Sequence, residues 1–203
     1  MKRLIVIMIM SFTSVSYGAL SSDSDSTYSY VYDDATNLDW LTLDETRGYS
    51  YNQILDRLSG DLSGWEFADE NQLFTLFKNA GFSQVNLNTD GFTYNRDDYE
   101  AARDLQDLLG YTYNNSNFTY IESGGLVLGG NFGVVTSLST DNRVYTRNNI
   151  DWSSKADQGF PGIGSFLIRT HVADSASNSA PLSSSVFVVL GTGLLFGLVR
   201  RRK

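Results

Sequence analysis

The sequence predicts a single α+β domain enclosed by two terminal targeting segments. Helix-start signals lie in the first half of the chain, whereas short β-type runs separated by Gly, Asn and Asp fill the second half. About 160 residues lie between the ends, enough for one hydrophobic core. Twelve Tyr, twelve Phe and three Trp supply apolar area to that core. We therefore expect helices first and then a small, mostly antiparallel sheet.

The N-terminal segment has the layout of a secretory signal peptide. Two cations precede an unbroken apolar run at 4–10, and small or polar residues follow. Ser16 and Gly18 satisfy the small-x-small rule, so we predict a signal peptide at 1–18 that is cleaved between Gly18 and Ala19. An uncleaved anchor is the alternative, but the run is too short to span a bilayer.

The domain itself is predicted to follow a flexible start. Residues 19–27 are rich in Ser and Asp and are expected to be loose. Alternating aromatic and β-branched residues predict a strand at 28–32, and 38–43 predicts a second extended segment. The large rings of Trp40 and Trp65 are expected to seal helices against the sheet.

Three capping boxes predict where the helices begin. Each pairs a Ser or Asp with a Gln or Glu three residues later: Ser50 with Gln53, Asp69 with Gln72, and Asp97 with Glu100. Apolar stripes at helical spacing follow, and the stripes end before Gly60, Gly81 and Gly110. We assign these stripes to the core rather than to a site.

Short β-type runs occupy the rest of the domain, which is predicted to span 28–172. These runs lie at 118–121, 125–128, 133–138, 143–147 and 165–170, with a hairpin turn at 140–143. A Ser-, Ala- and Asn-rich stretch at 173–179 is predicted to be a flexible linker.

Three features follow the linker in a fixed order: a short proline-containing motif, an apolar run and a basic cluster. The motif is Ala180, Pro181 and Leu182, and the cluster is Arg200, Arg201, Arg202 and Lys203. The run at 186–199 spans about 21 Å as a helix, and including 182–185 extends it to about 27 Å, near the ~30 Å hydrocarbon core. We predict a membrane helix at about 183–199, with the cations stopping translocation on the cytoplasmic side.

This layout resembles the PEP-CTERM family of bacterial sorting signals. In that family an exosortase-type membrane protease recognises the motif and removes the helix; the usual Pro-Glu-Pro is Ala-Pro-Leu here. The resemblance covers 180–203. It implies export by the secretion machinery of a Gram-negative bacterium, transient residence in the inner membrane, and delivery to the cell surface or the extracellular space. A plain C-terminal anchor without processing is the alternative.

Charge and composition exclude several classes of site. The whole chain carries a net charge of −8; without the cations of the two ends, nine Lys and Arg face 23 Asp and Glu, a net charge of −14. Such a field opposes binding to nucleic acid and anionic lipid. The lack of cysteine excludes disulfides, zinc–thiolate sites and a Cys nucleophile. We predict no metal or other cofactor, because the sequence has neither an EF-hand loop nor a His/Cys cluster.

Three segments of the domain resemble the Lcl C-terminal-domain family. Residues 33–40 are similar to its opening Asp-x-x-Thr-Gly-Leu-x-Trp, with Asn37 where Gly is usual. Residues 64–73 are similar to its Trp-Arg-x-Pro-x-x-x-Glu-x-x-x-Leu segment without the Arg and Pro, and 164–169 to its closing Phe-x-Val-Arg strand. The resemblance implies a C-type-lectin-like fold, in which the first and last strands pair. The strand at 28–32 or at 38–43 should therefore share a sheet with 165–170.

Candidate catalytic residues are few. His171 is the only histidine and is expected to be exposed beside the linker. A glycosidase would need paired carboxylates, and the sequence offers Asp33 with Asp34, Asp69 with Glu70, and Asp97 with Asp98. Acids at helix starts are also expected for capping and for the helix dipole. The stretch at 148–152 does not match the calcium-binding loop of sugar-binding C-type lectins.

Aromatic and polar side chains of the second half have the composition of a polysaccharide- or protein-binding surface, and equally of ordinary sheet faces. They are Tyr111, Tyr113, Asn114, Asn115, Asn117, Phe118, Tyr120, Tyr145 and Trp152. We expect a non-enzymatic surface or matrix component linked to exopolysaccharide or to other surface proteins. The alternative is an envelope hydrolase that uses paired carboxylates on a glycan.

Overall fold

The structure describes most of the chain between the two predicted targeting segments. A computed structural model describes residues 19–83, 85, 93–95, 97–115, 120–140, 142–151 and 153–173. The predicted signal peptide, sorting motif, membrane helix and basic cluster, and nearly all of the predicted linker, lie outside these residues. The chain divides into two units, Met1–His171 and Val172–Lys203, and every element below belongs to the first. Among the described residues no helix is long and apolar enough to cross a membrane.

Helices and strands alternate along the described chain and build two sheets. The elements are β1 (Leu20–Ser24), β2 (Ser29–Asp33), β3 (Leu38–Leu41), α1 (Tyr51–Leu58), β4 (Glu66–Phe67), α2 (Glu70–Asn79), β5 (Thr93–Asn95), α3 (Tyr99–Leu109), β6 (Tyr113–Asn114), β7 (Tyr120–Leu126), β8 (Asn131–Leu138), β9 (Arg143–Asp151), β10 (Gly164–Ser165) and β11 (Leu167–Thr170). The mixed α and β class is confirmed. The expected order of helices before the sheet is wrong: β1 precedes the first helix in addition to the two extended segments predicted at 28–32 and 38–43, and the strands form two sheets rather than one.

The first sheet joins the two ends of the domain. Its strand order is β1-β2-β3-β11-β4, and the second sheet has the order β10-β7-β8-β9-β5 with β6 paired to β7. Strand β11 runs antiparallel to β3, with Ile168 opposite Trp40 and Arg169 opposite Asp39. The prediction that 38–43 pairs with 165–170 is therefore confirmed. Most ladders are antiparallel; β10 pairs with β7 in parallel.

Two of the three predicted helix starts are confirmed at atomic detail. Ser50 Oγ accepts from the Gln53 amide at 3.2 Å while the Gln53 side chain accepts from the Ser50 amide at 2.8 Å, and Asp69 with Gln72 forms the same reciprocal pair. The third start is wrong by one residue. Helix α3 begins after Asp98, whose φ of −93° and ψ of 8° are not the extended geometry of a capping residue. Its carboxylate instead accepts from the Ser83 amide at 2.8 Å.

The first sheet separates two hydrophobic clusters. Neighbouring residues of each strand point to opposite faces, so Trp40 joins one cluster and Leu41 the other, and Ile168 and Leu167 divide in the same way. Helices α2 and α3 pack in the first cluster, and Ile54 of α1 packs in the second. Trp40 and Trp65 are 1% and 5% exposed, which confirms their expected role in the core.

The start of the domain is a strand rather than a flexible segment. Strand β1 pairs with β2 from Leu20 opposite Asp33 to Ser24 opposite Ser29, so the prediction for 19–27 is wrong. The Ser- and Asp-rich composition predicted a loose segment. An exposed edge strand is held by backbone hydrogen bonds to its neighbour and does not need apolar side chains. Asp25 then closes the turn into β2 by accepting from the amides of Thr27 and Tyr28 at 2.8 Å each.

The runs predicted at 118–121 and 125–128 both contribute residues to a single strand, β7 (Tyr120–Leu126). Residues 118 and 119 are outside the described part of the chain. Gly124 and Gly125 lie inside this strand, where a side chain would crowd neighbouring aromatic rings. A Cβ on Gly124 would lie 2.7 Å from the Phe132 ring, and one on Gly125 would lie 3.0 Å from the Phe166 ring. Glycine here reflects close packing of the strand, not a turn.

Candidate functional site

The three segments that resemble the Lcl C-terminal-domain family meet in the first sheet. Trp40 of the opening segment lies opposite Ile168 of the closing one, and Glu66 of the middle segment lies opposite Ile168 from the other side. Asn37 has a φ of 56°, a left-handed conformation that glycine and asparagine adopt more readily than other residues.

A buried ionic network joins the same segments on the second face of the sheet. Asp39, 1% exposed, accepts from Arg169 Nε at 2.9 Å, and Arg169 Nη1 lies 2.9 Å from Asp25 Oδ2. The Arg169 guanidinium lies 4.3 Å from the ring centroid of Trp65 and 4.7 Å from that of Tyr30. Burial lowers the pKa of Arg169, but its bonds to Asp39 and Asp25 raise the pKa by a larger amount, so the pKa lies above its ordinary value. This network holds three strands and a turn together.

His171 closes the network at the end of the domain. Its Nδ1 lies 2.6 Å from Asp39 Oδ1, its ring stacks on Tyr32 at 4.1 Å between centroids, and its backbone N–H donates to the Asn37 carbonyl at 3.0 Å. The prediction of an exposed histidine is wrong, because the side chain is only 16% exposed. These contacts attach the last strand to the β2–β3 turn.

The paired carboxylates take part in local hydrogen bonding. Both oxygens of Asp33, which is fully buried, accept from Asn79 Nδ2 at 3.1 and 2.8 Å. Asp69 caps α2, and the adjacent Glu70 accepts from Asn131 Nδ2 at 2.7 Å. Asp34 accepts from the Ala19 amide at 2.6 Å. Together with the bond from Ser83 to Asp98, these contacts join loops and helix starts to neighbouring elements.

A polar cleft of about 420 Å³ lies where the loop after β3 meets β6. Its lining consists of Asp44, Arg47, Tyr111, Thr112, Tyr113 and Asn114. We call it the tyrosine cleft. Arg47 Nη1 donates to the Tyr111 carbonyl at 3.0 Å and lies 3.3 Å from Asp44 Oδ1. The volume falls in the range of small-ligand sites.

Tyr113 contributes an aromatic residue to the lining of this cleft. The residue is 49% exposed, and its ring stands edge-on to Tyr120 at 5.6 Å between centroids. Tyr120 donates to Glu122 Oε1, and Thr136 donates to the same oxygen at 3.2 Å. Burial first, and the Glu122 carboxylate second, raise the pKa of Tyr120 well above its usual value, so its hydroxyl stays protonated. The exposed ring is thus backed by a fixed neighbour.

The cleft combines predicted residues with two that sequence reasoning missed. Tyr111, Tyr113 and Asn114 were predicted as part of a binding surface. Asp44 and Arg47 come from a loop more than sixty residues earlier, and no local pattern marks them. Of the other predicted residues, Tyr120 lies behind Tyr113, Asn115 accepts from the Tyr120 amide at 3.2 Å, and Tyr145 lies in β9 opposite Thr136. Asn117, Phe118 and Trp152 are outside the described residues.

Two further clefts lie on the described surface. One of about 330 Å³ is mainly apolar and is lined by Leu20, Asn79, Ala80, Gly81, Asp104, Leu105 and Leu108. Another of about 400 Å³ lies beside β1 and is lined by Ser22, Asp23, Ser24, Ser29, Tyr30, Thr42 and Leu108. Each of these two clefts, like the tyrosine cleft, has one carboxylate in its lining. Over the described ranges, no cluster of three or more His, Asp or Glu is arranged to hold a metal ion.

Comparison with known proteins gives no identification. The chain matches no protein-family model, and no curated protein or solved structure is detectably similar to it.

Proposed function

We propose that this chain is an exported envelope or matrix protein of a Gram-negative bacterium that binds a neutral polysaccharide without hydrolysing it. The observation that carries the proposal is the tyrosine cleft, where a half-exposed aromatic ring stands beside an arginine, an aspartate and an asparagine. Sugar rings present an apolar C–H face and a rim of hydroxyls. A Tyr ring packs against such a face, and Arg, Asp and Asn side chains bond to hydroxyl pairs.

Charge narrows the class of glycan. The mature domain has nine Lys and Arg against 23 Asp and Glu, a net charge of −14, which opposes approach of a polyanionic chain. A neutral polysaccharide has no such barrier, and its hydroxyls need only local donors and acceptors. Arg47 and Asp44 supply both kinds of group at one wall of the cleft, where their side chains are 45% and 58% exposed.

A C-type-lectin-like fold is part of the proposal. Its support is the pairing of β3 with β11, the meeting of the three resembling segments, and the left-handed Asn37. The hydrogen bonds of the paired carboxylates to amides and backbone support binding over the alternative, an envelope hydrolase. Such an enzyme places two acids about 5–10 Å apart around the scissile bond, whereas the lining of the tyrosine cleft includes one, Asp44.

Glycan binding is tested with the secreted protein and a panel of neutral and acidic polysaccharides in affinity electrophoresis. Tyr113→Ala should weaken binding to the neutral polymer by about tenfold, as expected for an aromatic anchor. Tyr49→Ala is the matched control, since Tyr49 is 41% exposed, its ring packs against Arg57, and it is not among the residues that line the cleft. An equal loss of affinity in both variants, or an unchanged affinity in both, would refute the proposed site. Release of reducing ends from the polymer would favour the hydrolase.

Sorting by an exosortase-type protease is proposed from the sequence of the tail. If the enzyme acts at Ala180, Pro181 and Leu182, protein recovered from outside the inner membrane ends near this motif. Intact-mass measurement decides the point. A chain that leaves the membrane and still carries 186–203 would refute processing. Loss of the tail from the parent protein, together with retention of the tail in the Pro181→Ala variant, would support processing.

A further inference from the structure

The first residue after the predicted signal peptide is bonded to the β2–β3 turn by two hydrogen bonds. The Ala19 backbone nitrogen lies 2.6 Å from Asp34 Oδ1, and the Asp34 amide donates to the Ala19 carbonyl at 3.3 Å. Strand β1 starts one residue later, with Leu20 opposite Asp33. The carboxylate of Asp34 is therefore positioned at the atom that cleavage between Gly18 and Ala19 would convert from an amide into an amine.

We propose that Asp34 is the binding site for the mature N-terminal ammonium, so that removal of the signal peptide adds an ion pair that fixes β1 to the first sheet. The inference rests on the predicted cleavage site. In the precursor the nitrogen of Ala19 donates one neutral N–H. After cleavage it carries a positive charge and three N–H donors, and a charge-assisted bond to a carboxylate is stronger than a neutral one.

Charged groups near the amine act in the same direction. Asp33 precedes Asp34 in the chain, and Asp104 of α3 lines a cleft together with Leu20, the residue after Ala19. All are acids and favour the charged amine. The opposite end of the domain is bonded to the same turn, because the His171 amide donates to the Asn37 carbonyl at 3.0 Å. One short turn thus holds the first and last residues of the folded domain.

The ion pair is tested by titrating the Ala19 amine in the secreted, processed protein by NMR. The pKa of the amine should rise from its ordinary value of about 7.7–8.0 to about 8.5 or above. Asp34→Asn keeps an oxygen acceptor and removes the charge, so it should lower the pKa of the amine toward the ordinary range. Asp23→Asn, a change of an exposed acid on the same strand, should leave the raised pKa in place.

Three outcomes would overturn the proposal. They are an ordinary pKa in the parent protein, an unchanged pKa in Asp34→Asn, and an N-terminal sequence that starts at a residue other than Ala19. The last would show that the predicted cleavage site is wrong. Glycan binding by the tyrosine cleft is measured separately, so its loss or retention does not affect this result.

Discussion

The Asp39 network and the tyrosine cleft use the same types of residue in opposite ways. Arg169 bonds to two carboxylates and lies against two aromatic rings, with its side chain 25% exposed. Arg47 bonds to one backbone carbonyl, lies beside one carboxylate and is 45% exposed. A saturated arginine contributes to stability, while a half-exposed one keeps donors directed to solvent or ligand. The contrast favours a structural role for the Asp39 network and agrees with the binding role proposed for the tyrosine cleft.

The largest expected effect is on the stability of the network. Asp39→Asn removes the buried carboxylate that Arg169 and His171 both bond to, and it should lower the free energy of unfolding by about 2 kcal/mol, as expected for the loss of hydrogen bonds to a charged group. Asp44→Asn is the control because its pair with Arg47 is exposed, and it should change stability by less than about 1 kcal/mol. Urea denaturation measures both. Equal losses would show that burial does not distinguish the two pairs.

The second expected effect is on binding, where a change in the tyrosine cleft should matter more than a change in the Asp39 network. Arg47→Met should lower affinity for the neutral polysaccharide by about five- to tenfold and leave stability within about 0.5 kcal/mol, because the residue lies on the surface. Arg169→Met should destabilise the fold while protein that remains folded keeps its affinity. Affinity electrophoresis and denaturation on both variants separate the roles. If Arg169→Met weakens binding in the folded protein, the two regions are coupled and the proposed division is wrong.

Local sequence signals predicted the helix starts of the domain better than they predicted its strand pairing. Capping boxes located α1 and α2 because each depends on contacts within one turn of helix. The pairing of β3 with β11 followed from the family resemblance, although no local pattern links strands so far apart. Strand β1 was missed because its side chains are polar and exposed, so its pairing leaves no hydrophobic signature. The start of α3 was predicted at Asp97 rather than at Asp98. The Asp98 carboxylate accepts a hydrogen bond from the Ser83 amide of a neighbouring loop, a contact that no local pattern indicates.

The tyrosine cleft was predictable only in part. Tyr113 and Asn114 belong to a stretch whose composition suggested binding, whereas the opposite wall comes from a loop near β3 that tertiary structure brings beside it. His171 illustrates the same limit, because a position next to a linker suggested exposure. Its contacts with Asp39 and Tyr32 arise from strand register. Sites assembled across sequence-distant elements require the fold before their residues can be grouped.

The smallest effect tests how the turn at Asp25 contributes to the network. Burial raises the pKa of Asp25, but hydrogen bonds from Tyr28 and Thr27 and the contact with Arg169 lower it more, so the pKa in the folded protein lies below its ordinary value of 3.8. A carboxylate with a lowered pKa stabilises the fold above the unfolded-state pKa and loses this contribution as pH falls through the folded-state pKa. Asp25→Asn should therefore be less stable than the parent at pH 6.

That difference should be below about 1 kcal/mol, because Asp25 is about a third exposed and solvent screens the pair. It should shrink as pH falls below 3.8, since protonation then removes the same charge from the parent. Thermal unfolding of both proteins from pH 6 to pH 3 measures the change, with Asp23→Asn, in the adjacent edge strand β1, as a control. A difference that stays constant over this range would mean that the Asp25 side chain acts through its neutral hydrogen bonds, and the network would then depend on Asp39 alone for its charge.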